Sequence, residues 1–97
     1  MALTGKQRRF LRALGHALKP VVTVGAGGID DGLVAETEKA LLAHELVKVK
    51  ILASAPLDRK ESAAVLAGRA GAELAQVLGR TALLYKARQK SPAIKLP

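Results

Sequence analysis

Residues 21–31, Val-Val-Thr-Val-Gly-Ala-Gly-Gly-Ile-Asp-Asp, leave the backbone few choices. Four β-branched residues in succession favour an extended strand, where branched side chains pack well on the pleat. Gly25-Ala26-Gly27-Gly28 then permits a tight turn and close backbone approach, because glycine lacks the Cβ that blocks both. Asp30 is an N-cap, with Ile29 and Val34 at the spacing of a hydrophobic staple, so a helix follows and runs to His44. Leu46-Val47-Lys48-Val49-Lys50-Ile51 then alternates with period two, placing Val47, Val49 and Ile51 on a core face and Lys48 and Lys50 on the other. Strand, helix and strand make a βαβ unit with parallel strands and a right-handed crossover.

The flanking segments extend this unit. Thr4 and Gln7 have capping-box spacing and open a helix over residues 5–18, which Lys19-Pro20 ends by forcing the residue before proline out of the α region. On its wheel Phe10, Leu11, Leu14, Ala17 and Leu18 form a core arc, opposite Arg8, Arg9, Arg12 and His16. In the second helix Leu33, Val34, Ala40, Leu41 and His44 share the buried arc, while Glu36 and Lys39 point away. After Pro56, Asp58 and Glu61 form a second capping box for a helix that buries Ala63, Leu66 and Ala70 and stops at Gly71. Residues 74–78 and 81–86 read as strands of a hairpin closed by Gly79-Arg80 in a type II′ turn. The expected fold class is α/β: one small domain over residues 1–86, ordered α-β-α-β-α-β-β around a mixed four-stranded sheet. Residues 87–97, with Pro92 and Pro97, read as a basic tail with little structure of its own.

Charge narrows the partner. The net charge of +8 is unevenly spread: residues 1–19 and 80–97 each carry five bases and no acid, and the segment between them is slightly acidic. Basic ends that border one surface would form a polyanion site, whereas solubility alone is usually served by mixed signs. Phe10 and Tyr85 are the only aromatics, so the core is aliphatic and base-stacking readout is not expected. The chain has no cysteine, no apolar run long enough to span a bilayer and no secretory leader, so the cytoplasm is the expected compartment.

The motifs exclude more than they assign. A dinucleotide fingerprint anchored on Gly25 and Gly27 would need glycine where Asp30 stands, and Walker-type Gly-Lys-Ser/Thr is absent. What remains is a short G-x-x-G loop of the kind that clamps a nucleic-acid backbone in K-homology-type domains, or else a structural turn. His16 and His44 are too far apart in sequence for a helical or finger-type ligand pair, and Ser54, Ser62 and Ser91 lack a nucleophile-elbow context. No enzymatic activity, metal or cofactor is expected.

Four blocks in order carry a family resemblance: residues 3–8 (LTGKQR), residues 18–28 from Leu18-Lys19-Pro20-Val21-Val22 into the glycine loop, residues 44–50 (HELVKVK) and residues 79–86 (GRTALLYK). The chain resembles the bacterial YhbY family, the stand-alone form of the CRM (chloroplast RNA splicing and ribosome maturation) domain. The resemblance implies a fold similar to the C-terminal domain of translation initiation factor three, and binding of ribosomal RNA on precursors of the large subunit. Carried over by position, it assigns RNA contact to the loop Gly25, Ala26, Gly27 and Gly28 and to the basic first helix, Lys6, Arg8, Arg9 and Arg12. Lys19 is expected to join the helix in neutralising phosphates, and Lys48, Lys50, Lys86 and Arg88 to extend the surface. Ala26 and Gly27 are neither polar nor basic, so the loop can contribute only backbone N–H groups. The expected state is a monomer that binds RNA, with no DNA or membrane partner. The alternative is that the acid-free N-terminal helix binds anionic lipid or serves in targeting a small adaptor domain.

Overall fold

The computed structural model describes residues 3–97. In chain order the elements are α1 (Gly5–Gly15), β1 (Val22–Val24), α2 (Asp31–His44), β2 (Leu46–Ile51), α3 (Arg59–Ala70), β3 (Glu73–Leu78) and β4 (Thr81–Tyr85). The strands form one sheet in the order β1-β2-β4-β3. β1 and β2 pair in parallel, and β4 pairs antiparallel with both β2 and β3, so the sheet is mixed as expected.

Local chemistry sets the element ends. Thr4 and Gln7 form a complete capping box: the Gln7 N–H donates to the Thr4 hydroxyl and the Thr4 N–H to the Gln7 side chain. Asp30 accepts from the Leu33 N–H (2.8 Å), and Asp58 accepts from the Glu61 N–H (2.8 Å). That second bond, helped by the Lys60 charge, holds the Asp58 carboxyl below its usual range. Gly71 ends α3 at φ +69°, and Gly79 opens the hairpin turn at φ +57° while Arg80 keeps a negative φ, the sign pattern of a type II′ turn.

The sheet is covered on both faces. On one, α2 and α3 bury Val34, Leu41, Ala63, Leu66 and Ala70 against Val22, Val24, Val47, Val49, Ile51, Ala82 and Leu84. On the other, Leu3 and Leu11 pack with Leu46, Ala75, Leu83 and Tyr85, and Ile94 and Leu96 of the C-terminal segment join them. Two buried hydroxyls are satisfied locally, Thr37 by the Leu33 carbonyl (2.8 Å) and Ser62 by the Leu57 carbonyl (3.1 Å).

Several expectations change. α1 stops at Gly15 rather than residue 18, β1 begins at Val22 and β4 ends at Tyr85, before Lys86. Of the expected α1 core arc only Leu11 is buried; Phe10, Leu14, Ala17 and Leu18 are exposed. α1 crosses a sheet and has no second helix beside it, so one row of its apolar face finds partners and the flanking rows do not. His44 is exposed too, at the last turn of α2, and the next residue, Glu45, turns inward instead.

The largest difference is the C-terminal segment. It has no helix or strand, as expected, yet it is fastened to the body. Glu45 is fully buried at φ +62°, and its carboxylate accepts from the Arg88 N–H (2.8 Å), the Ala93 N–H (2.6 Å) and the Ile94 N–H (2.8 Å). The radius of gyration, 12.4 Å, equals that of a compact chain of this length, about 12.5 Å, as a folded-back segment requires.

Gly15 is where α1 touches the sheet. A Cβ there would lie 2.6 Å from Leu83 Cδ2 and 3.0 Å from its Cγ, and Leu83 is buried and cannot swing aside. Alanine ordinarily gains about 0.5–1 kcal/mol over glycine in a helix, but the clash reverses the sign here. Gly15→Ala is expected to destabilise by about 1–3 kcal/mol, read as a lower urea midpoint at unchanged m-value; a stabilised variant would mean that α1 is not seated on Leu83.

Candidate nucleic-acid interface

The glycine loop closes at the C-terminal end of β1. The Gly28 N–H donates to the Gly25 carbonyl (3.0 Å), and Gly28 sits at φ +71°, a conformation L side chains rarely adopt. Ala26 and Gly27 form the exposed tip. On its inner side the loop rests on the β2–α3 connection: a Cβ on Gly25 would meet Leu52 at 3.7 Å, and one on Gly28 would meet Pro56 at 3.3 Å. Gly27 faces open space. The charge of Asp31, which would oppose an anion, is met by Arg69 (2.6 Å), whose guanidinium also donates to the Ile29 carbonyl (2.7 Å).

The bases expected from sequence separate into two groups. Lys48 and Lys50 project from the sheet face that carries α1. Lys50 is in register with Thr23 and Thr81, and Lys48 with Leu83. Side chains two apart on a strand share a face and stand about 7 Å apart, so these lysines step along β2 toward the glycine loop. Lys19 borders the same region, lining a groove with Lys48 just before β1. α1 lies over this face by way of Leu11 and leaves Lys6, Arg8, Arg9 and Arg12 exposed. α1, Lys19, Lys48 and Lys50 therefore share one side of the sheet, with the loop at its strand-end border.

Lys86 and Arg88 lie elsewhere, beyond the end of β4, which pairs with the start of β2. The Lys86 ammonium donates to the Ala70 carbonyl at the end of α3 (3.3 Å), and the Arg88 guanidinium reaches the Leu42 carbonyl near the end of α2 (3.5 Å). Cations at helix C-termini complement the macrodipole. Both residues have structural work at the far end of the sheet from the glycine loop.

Three bases not singled out from the sequence join the loop end. Arg59, Lys60 and Arg80 line a cleft of about 480 Å³ with Leu52, Pro56 and Asp58, on the connection that supports the glycine loop. Arg80 is held there because its carbonyl accepts from the Ile51 N–H (2.8 Å). Arg59 and Lys60 fall within the acidic middle of the chain, where their charge disappears into the average. Position in the hairpin turn was the available signal for Arg80.

Among the described residues no group of three or more His, Asp or Glu could hold a metal ion, and no helix is long and apolar enough to cross a membrane.

Comparison with known proteins identifies the family and the fold. The family model described as the CRS1 / YhbY (CRM) domain matches residues 3–86. The chain is 40% identical to the Probable RNA-binding protein YqeI of Bacillus subtilis, over 98% of this chain and 99% of that protein. It is 39% identical to the Probable RNA-binding protein PA4753 of Pseudomonas aeruginosa, over 93% and 86% of the two. The solution structure of SAV1595 from Staphylococcus aureus superposes with a TM-score of 0.83 at 37% identity, covering 98% of this chain and 99% of that one. Family model, fold and full-length similarity coincide: the chain belongs to the CRS1/YhbY (CRM) domain family.

Proposed function

We propose that this CRM protein, a non-catalytic RNA-binding protein, docks structured ribosomal RNA and assists assembly of the large ribosomal subunit. The observation that carries the reading is the gathering of α1, Lys19, Lys48 and Lys50 on one side of the sheet, ending at an exposed loop that presents backbone and no bulky side chain. Phosphate contacts supply affinity and register, and close approach at Ala26 and Gly27 supplies shape selectivity. The relatives named as RNA-binding match over nearly their full length, which supports carrying the partner class to this chain.

Crosslinking in cells, followed by sequencing of the bound RNA, tests the ribosomal assignment. Large-subunit precursor RNA is the expected product, and its association should disappear on nuclease treatment. Recovery of other RNA classes alone would reject the ribosomal role and leave RNA binding intact.

The loop has its own test. Gly28→Asp confounds charge with an unfavourable φ and with Pro56, whereas Gly27→Asp places a carboxylate in open space at the tip. Gly27→Asp should lower RNA affinity by roughly tenfold, on the order of 1.4 kcal/mol, with an unchanged urea midpoint. Unchanged affinity would return the loop to a purely structural role.

A further inference from the structure

The end of α1 and the segment after it carry an apolar stripe that no described residue covers. Leu14, Leu18 and Val21 are 42%, 38% and 53% exposed, unusual for large aliphatic side chains adjoining a core. Together with Leu46 and Ile94 they wall a groove of about 470 Å³ between the end of α1 and the start of β2. Lys19 and Lys48 stand in its lining, His44 is its remaining polar residue, and none of the described lining residues is acidic. The far wall is a built feature: Ile94 is placed there by its N–H bond to the buried Glu45 carboxylate.

From this we infer that the groove is a docking site for a partner protein, taking a short segment that inserts one or two apolar side chains and carries acidic residues beside them. The occupant follows from the lining. Apart from His44 the walls are aliphatic, so the groove offers no Phe, Tyr or Trp face on which a nucleobase would stack. An apolar floor with a cationic border instead complements an acidic amphipathic helix, whose anchors enter the groove while its carboxylates meet the lysines. Leu14, near the end of α1, and Leu18, in the turn beyond it, bound a groove of a size for one or two anchors.

The inference goes beyond the RNA reading but shares Lys19 and Lys48 with it, so its test rests on the apolar walls, which the RNA reading leaves unused. Its test uses the whole protein, isotope-labelled on backbone amides and methyl groups, titrated with a synthetic amphipathic peptide bearing leucines at i, i+3, i+4 and i+7 and glutamates elsewhere. Signals of Leu14, Leu18, Val21 and Ile94 should shift. Replacing the glutamates by lysines should weaken binding by roughly tenfold or more. Leu14→Ser/Leu18→Ser, at half-exposed positions, should abolish peptide binding while far-UV circular dichroism and RNA affinity stay at wild-type values. Absence of shifts up to about 1 mM peptide, or equal binding of the lysine peptide, overturns the proposal. So does a single-stranded RNA that shifts the same methyl signals in place of the peptide, which would make the groove an RNA subsite.

Discussion

Glu45→Ala is expected to cost about 3 kcal/mol of stability and to release the C-terminal segment. The carboxylate is the common acceptor for three backbone N–H groups, from Arg88, Ala93 and Ile94. Hydrogen bonds to a charged group contribute about 1.5–3 kcal/mol each, and donors left unpaired in a buried site add a penalty. Water reaching the freed segment recovers part of this, which sets the net figure well below the sum. In a domain of this size the loss corresponds to a drop in Tm of roughly 12–24 °C. The backbone of Glu45 would survive the change, since its N–H donates to the Leu41 carbonyl and its carbonyl accepts from the Lys86 N–H. Glu45→Gly separates the two features of the site: it accommodates φ +62° without strain and lacks the carboxylate. If Glu45→Gly were as stable as wild type, the anchor would contribute no more than the relief of the φ strain, well short of the loss of about 3 kcal/mol expected for Glu45→Ala.

The same anchor sets a pH dependence. Burial raises the Glu45 carboxyl, but the three N–H bonds and the Arg88 charge outweigh it and hold the group below its ordinary value of 4.5. A depressed folded-state carboxyl adds stability that is fully present above the unfolded value and is lost as pH falls through the folded one. Stability should therefore be flat around neutrality and fall below about pH 4.5, and Glu45→Gln should flatten that acid limb. Tyr85, buried nearby, shifts the opposite way: burial and the Glu45 charge both raise its hydroxyl. Urea midpoints measured at a series of acid pH values decide the matter, since identical acid limbs in wild type and Glu45→Gln would place the titrating group elsewhere.

The second large effect concerns binding. Reversing charge at Arg8, Arg9 and Arg12 together should weaken RNA binding by roughly 100-fold at physiological salt, about 3 kcal/mol. Each phosphate contact contributes about 0.7 to the slope of log K against log salt on single strands and about 0.9 on duplex. Loss of three contacts should flatten the slope by about 2–3. All three side chains are exposed and α1 is anchored through Leu11, so the variant should stay folded. A folded triple variant with unchanged affinity and slope would falsify the assignment of α1 to the RNA surface. Lys86→Ala and Arg88→Ala provide the contrast. These side chains are engaged at helix ends, so their loss should lower stability more than affinity.

Particular residues show what could be read in advance. The capping residues Thr4, Asp30 and Asp58, the stop at Gly71 and the alternation in β2 act within a few residues of themselves, and they emerged as expected. The helical wheel of α1 overstates its buried face: of the expected core arc only Leu11 is covered. Periodicity gives the direction of an apolar face, but the width that is buried depends on what lies opposite, and α1 meets a sheet through the single row of Leu11 and Gly15. Glu45 showed no periodic signal. Its one local sign was a glutamate at a helix C-cap, where glycine is usual, directly before an apolar strand. The loop and the α1 bases were legible from spacing and charge, whereas Arg59 and Lys60 came beside the loop only when β1 paired with β2, and Arg80 only when β4 paired with β2.

By itself the sequence determined the seven elements and their order, the two chemically distinct faces of β2, the location of the excess charge and the family. The family was legible from four blocks in order, and the rest are fixed by interactions between near neighbours or by composition. Tertiary structure decided the strand order, the seating of α1, the fastening of the C-terminal segment to Glu45 and the division of the basic residues between the loop end and the far end. These depend on which distant segments meet, and local backbone preference does not encode that; burial of both sheet faces and satisfaction of buried polar groups do.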